Sequence, residues 1–181
     1  MRVLLFPLLV LLLTACGGTE RLLVNPQVSL ADKISTRFRS IEVLEVSLPA
    51  YAAATEVAVE SEGTLTLSNV LWADDQTRAV TLALSRNLAE LTGRRVAPEP
   101  WPFDGFASAR VDVRVEELLV TGDILRLSGQ YFIADLDGFG RDRARVFDIL
   151  TKLNGPTAPD AAQGRADAIA SLAIDIAKRG L

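Results

Sequence analysis

The first sixteen residues constrain the chain most. Arg2 is followed by an apolar run, Val3–Leu13, and then by Thr14-Ala15-Cys16. A helix needs about 20 apolar residues to cross the hydrocarbon core of a bilayer, and this run falls short of that. A basic start, an apolar middle and a small-residue end form the layout of a secretory signal, which is cut from the mature chain. The fold must therefore be built from the residues beyond it. Cys16 is the only cysteine in the sequence.

Leu13-Thr14-Ala15-Cys16 resembles a bacterial lipobox, in which the cysteine is acylated and becomes the mature N-terminus. The plainer alternative is an ordinary signal peptide followed by an incidental thiol. On the lipobox reading, residues 1–15 are a lipoprotein signal peptide, 16–37 the lipidated N-terminus and tether, and 38–181 the domain. One acyl chain anchors only marginally, whereas the three of a mature bacterial lipoprotein hold effectively for good. Gly17 follows the cysteine, where an Asp signals inner-membrane retention in enteric bacteria. By that rule the periplasmic face of the outer membrane is favoured, with inner-membrane anchoring left open. At roughly 3.3 Å per extended residue, such a tether holds the domain some tens of Å from the bilayer.

The remainder suits one domain with one core. A net charge of −4 without a basic block argues against nucleic acid as a partner. There is no histidine, and lipid consumes the lone cysteine. That removes Ser-His-Asp and Cys-His catalysis, disulfides and the usual zinc ligand sets. We expect no cofactor, no metal and no enzymatic activity. A carboxylate-dependent hydrolase using Asp74, Asp75 or Asp142 is the enzymatic alternative, and no convergent motif supports it.

Along the chain, Arg39–Leu48 is nearly continuously apolar, as in a central strand covered on both faces. Pro49 ends it. Thr55–Glu60 and Thr64–Ser68 alternate at period two around a turn at Glu62-Gly63. Asp74-Asp75 offers an N-cap to a helix over Thr77–Leu91 that Gly93 stops. Ala97–Pro102, with three prolines, is a loop. In Ser108–Val120, Val111, Val113 and Val115 alternate with Arg110, Asp112, Arg114 and Glu116. Ile124–Ala134 returns as the second half of an antiparallel hairpin, and Gly129 inside it marks a bulge or close approach. Arg143–Leu153 fits either a third strand or a helix. Asp160–Lys178 is a closing helix, with Lys178 and Arg179 complementing its dipole and Gly180 ending it. The expected fold is α+β: a single domain, a mostly antiparallel sheet, two main helices packed on it, and a strands-then-helix order occurring twice.

Candidate sites divide into two kinds. Asp135–Asp142 resembles a calcium loop, but with Gly138 at the sixth position the first and twelfth fall on Ile133 and Ala144, which cannot coordinate. It is read as a turn. The candidate partner contacts are aromatic: Trp101, Phe103 and Phe106 in the proline-rich loop, with Tyr51 and Trp72. Exposed apolar patches mark partner or membrane contact. Trp72 fits either a core anchor or an interface residue, and Tyr51 either a strand terminator or a contact.

Several ordered motifs occur together. After the lipobox come an apolar strand ending in Leu48-Pro49-Ala50-Tyr51, then Val57 and Val59, then Leu71-Trp72-Ala73-Asp74-Asp75. A helix with Leu84 and Asn87-Leu88 follows, then the Pro-Trp-Pro loop, the Val111-Asp112-Val113-Arg114-Val115 strand, and an Ala-rich helix reaching Ile176-Ala177. From about residue 38 to the end this resembles the PqiC/YmbA-like auxiliary lipoproteins of ABC-type intermembrane transport systems. The resemblance implies an outer-membrane component working with an MCE-domain membrane protein and its ABC transporter components in lipid transport. It also implies assembly of some members into homo-oligomeric rings, and it carries over no catalytic residue. A periplasmic lipid carrier, or an assembly factor for outer-membrane protein or glycolipid, are the alternative functions.

Overall fold

The computed structural model describes residues 21–22, 33–138 and 140–181. Cys16, the signal and most of the expected tether lie outside the described residues. Among the described residues the order is β1 (Arg21–Leu22), β2 (Ser40–Val43), α1 (Ala50–Ala53), β3 (Glu56–Ser61), β4 (Thr64–Trp72), α2 (Gln76–Thr92), β5 (Arg95–Pro98), β6 (Ala109–Thr121), β7 (Ile124–Asp135), β8 (Arg143–Lys152) and α3 (Ala158–Asp175), which continues into a π-helical turn, Ile176–Gly180.

β6 is the spine. Val111 and Val113 are fully buried on its inner face, while Arg114 and Glu116 face solvent. Along one edge it pairs antiparallel with β7, from Ala109 opposite Asp135 to Thr121 opposite Ile124. β7 in turn pairs antiparallel with β8. The other edge of β6 is divided between two parallel partners. Its start pairs with β2, Val43 lying opposite Val111, and its end with β3, Val59 lying opposite Val120. The eight-stranded sheet therefore forks into a β2–β5 arm and a β3–β4–β1 arm.

The mostly antiparallel sheet expected from sequence is corrected to a mixed one. Antiparallel neighbours meet through tight turns that leave a local signature, here Glu62-Gly63 and Gly122-Asp123. The parallel pairs β1–β4, β2–β5, β2–β6 and β3–β6 join distant segments and leave none. The helix count also differs, with three helices where two were expected. Pro49, held extended at φ −63°, starts a single turn in which the Ala52 and Ala53 amides donate to the Pro49 carbonyl. Arg21–Leu22, within the expected tether, forms β1 beside Leu71–Trp72.

Other elements fall near where the residues put them, although the strand expected over Arg39–Leu48 is confined to Ser40–Val43 and Ala97-Pro98, expected in the loop, close β5. Ser40–Val43 is buried throughout, as a central strand requires. Asp75 caps α2 by accepting the Arg78 amide at 2.8 Å, and Gly93 ends it in the left-handed region at φ 64°. α3 opens with a reciprocal capping box between Thr157 and Asp160. Arg143–Lys152 is a strand, with Phe147 turned inward to stack on Tyr131 at 6.3 Å. Leu84 and Leu88 of α2 and Ala168, Leu172 and Ala173 of α3 join Val111, Val113 and Tyr131 in one core between helices and sheet. Each fully buried Leu or Val contributes about 1.5–3 kcal/mol.

Candidate functional site

The β5–β6 connection is held at both ends and projects between them. The Glu99 amide donates to the Val43 carbonyl at 2.9 Å, and the Glu99 carboxylate accepts the Glu45 amide. At the far end the Ser108 hydroxyl accepts the Arg39 and Ser40 amides, both at 2.9 Å, and donates to the Ser40 carbonyl at 2.8 Å. The prolines cannot donate to a ladder, so the segment leaves the sheet after Pro98. Gly105, at φ 77°, supplies the left-handed residue that turns it back. Trp101 meets Phe103 edge to face at 5.0 Å, and the Arg95 guanidinium lies 5.5 Å from the Phe103 ring. The Trp101 indole nitrogen is buried without an acceptor among the described residues. Phe106 is 91% exposed and Phe103 43%.

Tyr51 and Trp72 stand elsewhere. Tyr51, on α1, is half-buried in the fork of the sheet, where its hydroxyl accepts the Leu118 amide at 3.3 Å beside the β6 bulge. Burial, ahead of other causes, raises its pKa. Trp72 is buried in the core, which corrects its place among the candidate surface contacts: its ring packs beneath a guanidinium and is covered by helix α3. Of the five aromatic candidates, only Trp101, Phe103 and Phe106 come together.

The guanidinium over Trp72 belongs to Arg165, a residue that no sequence motif singles out. It is 3% exposed and lies 4.7 Å from the ring. It donates to the side-chain oxygen of Gln76 and, at 3.5 Å, to its carbonyl, while its Nε has no partner among the described residues. Burial lowers its pKa to about 10, so it remains a cation at neutral pH. The signal that could have found it is its place on a stripe of buried residues, Ala161, Ala168, Ile169 and Leu172, where a charge needs an explanation. A cavity of about 20 Å³ lies beside it, between Val57, Trp72, Leu118 and Ala161. That is room for one water and far from the roughly 300–1,000 Å³ of a small-molecule pocket.

The acidic candidates are dispersed. Asp75 caps α2, Asp74 pairs with Arg78, and the Asp142 carboxylate accepts the Asp135 amide at 3.0 Å in the β7–β8 turn. Asp135 and Asp137 of that turn pair with Arg37 and Arg39 at 2.9 and 3.6 Å.

Together these features define a class: a two-layer α+β domain whose exposed aromatic residues gather on one braced loop. The match to known families is specific. Residues 22–177 match the family of ABC-type transport auxiliary lipoprotein components, and the chain belongs to that family. The family description makes it a lipoprotein, attached to a membrane of the cell envelope, and an accessory to ABC-type transport. No curated protein matches the chain. Among solved structures it is similar to an uncharacterized protein at a TM-score of 0.68 and 20% identity, covering 81% of this chain and 97% of that one. It is also similar to protein XCC0632 from Xanthomonas campestris, at a TM-score of 0.63 and 14% identity, covering 88% and 89%. At such identities the likeness is one of fold.

Proposed function

We propose that the protein is a non-enzymatic docking component, tied by lipid at Cys16 to the periplasmic face of the outer membrane, that receives an MCE-domain protein of an ABC-type lipid transport system. The observation carrying this is the loop Trp101–Phe106. A phenyl ring that is 91% exposed, on a loop braced at both ends, is a contact surface already ordered before a partner arrives. Tryptophan and its aromatic neighbours are typical of the few residues that carry binding energy. Anchoring confines the loop near the membrane and raises its effective concentration for a partner reaching across the periplasm.

The test replaces Trp101, Phe103 and Phe106 together with serine. The variant is expected to keep the circular dichroism of the parent and to lose partner capture at least tenfold in a pull-down from envelope extracts. Unchanged capture removes the loop from the interface.

A further inference from the structure

The short first strand sets how far the domain stands from its membrane and which end faces it. Cys16 lies five positions before Arg21. Arg21 and Leu22 are fixed to the sheet opposite Leu71 and Trp72, and the Ala73 amide donates to the Leu22 carbonyl at 2.9 Å. At no more than about 3.6 Å per residue, the acylated cysteine is within about 18 Å of that sheet edge. The leash is thus far shorter than one running from residue 16 to 37.

Direction comes from the pairing. β1 runs parallel to β4, so stepping back from Leu22 to Arg21 is stepping back from Trp72 to Leu71, towards the β3–β4 turn. Leu67 lies four positions back from Leu71, about 13 Å at 3.3 Å per residue. That is inside the reach of Cys16. Leu65 and Leu67 are 41% and 45% exposed. Their neighbour Thr66 pairs with Val59, which pairs with the core residue Val120, so both leucines lie on the sheet face away from the helices. The Trp101 loop is at the other end. Its strands meet β6 at Val43–Val111, whereas β3 meets it at Val120, roughly 30 Å further along.

We propose that the face of β4 bearing Leu65 and Leu67 rests on the bilayer that holds Cys16, with the Trp101 loop presented at the opposite end. This rests on the reading of Cys16 as the lipidated N-terminus. Glu60 and Glu62 at the turn make the surface one for zwitterionic lipid rather than anionic lipid. The domain rides on the membrane, and the distance across the periplasm is left to the partner.

The full lipidated protein tests this. Acylation blocks the Cys16 thiol, so Leu65→Cys, Leu67→Cys and, on the exposed side of α2, Arg86→Cys each offer one site for a fluorophore. In phosphatidylethanolamine–phosphatidylcholine vesicles carrying a spin-labelled acyl chain, the labels at 65 and 67 should be quenched at least threefold more than the label at 86. Equal quenching at all three positions, in protein that floats with the vesicles, overturns the orientation and leaves the anchor standing. Intact-mass spectra showing no acyl group on Cys16 overturn both.

Discussion

The buried Arg165–Gln76 pair makes a quantitative prediction. Lowering the guanidinium pKa to about 10 corresponds, at about 1.4 kcal/mol per pKa unit, to roughly 3 kcal/mol spent keeping the charge in the core. Against this stand a desolvated cation–π contact with Trp72, about 2 kcal/mol, and a charge-assisted hydrogen bond to Gln76, about 2 kcal/mol. The sum is close to balance, so the two single substitutions should differ. Gln76→Leu leaves a buried charge short of a partner and should cost about 3 kcal/mol. Arg165→Met relieves the desolvation while it loses both contacts and leaves the Gln76 oxygen unpaired, a net cost of about 1–2 kcal/mol. The double variant leaves neither group unmet and should lie within about 1 kcal/mol of the parent, a coupling of at least about 3 kcal/mol. Urea unfolding followed by circular dichroism and tryptophan fluorescence measures all four. Additive costs, or a larger loss for Arg165→Met than for Gln76→Leu, would refute the reasoning.

Two further predictions concern β7. Burial, with help from the hydrogen bond its hydroxyl donates to Asp175 at 3.0 Å, raises the Tyr131 pKa to about 12. The folded state then holds this proton where the unfolded state has lost it. Tyr131 therefore contributes stability that is full below about pH 10 and is lost as pH rises through about 12. The difference in unfolding free energy between the parent and Tyr131→Phe should shrink over that window; a constant difference would contradict the assignment. Gly129 faces Val115 across the β6 bulge, where a Cβ would come 2.2 Å from the Arg114 carbonyl oxygen. Gly129→Ala should cost about 3 kcal/mol in the same unfolding assay, and a loss under 1 kcal/mol would show that the strands can part there.

What could be seen in the sequence was local. The Val111–Val115 alternation, the Asp75 cap, Gly93 and the Gly129 irregularity each depend on neighbours within a few residues, and the structure bears them out. What escaped was long-range. Nothing at Arg21–Leu22 marks a strand, because two residues show no period and gain their place from Leu71 and Trp72. The parallel pairing of β2 with β6 brings together Ile41 and Ala109, with no turn to announce it. At the candidate site, three aromatic residues close in sequence were legible as a patch. Trp72 was ambiguous because it ends strand β4 and the guanidinium that covers it comes from Arg165, far away in sequence on α3.

The most direct measurement places a photo-crosslinking amino acid at Phe106 in living cells and identifies what it captures by mass spectrometry. Docking in ABC-type lipid transport predicts an MCE-domain protein, with its ABC components co-purifying, and no such adduct from a probe at Leu67. Capture of an outer-membrane barrel or glycolipid-assembly protein instead would contradict it.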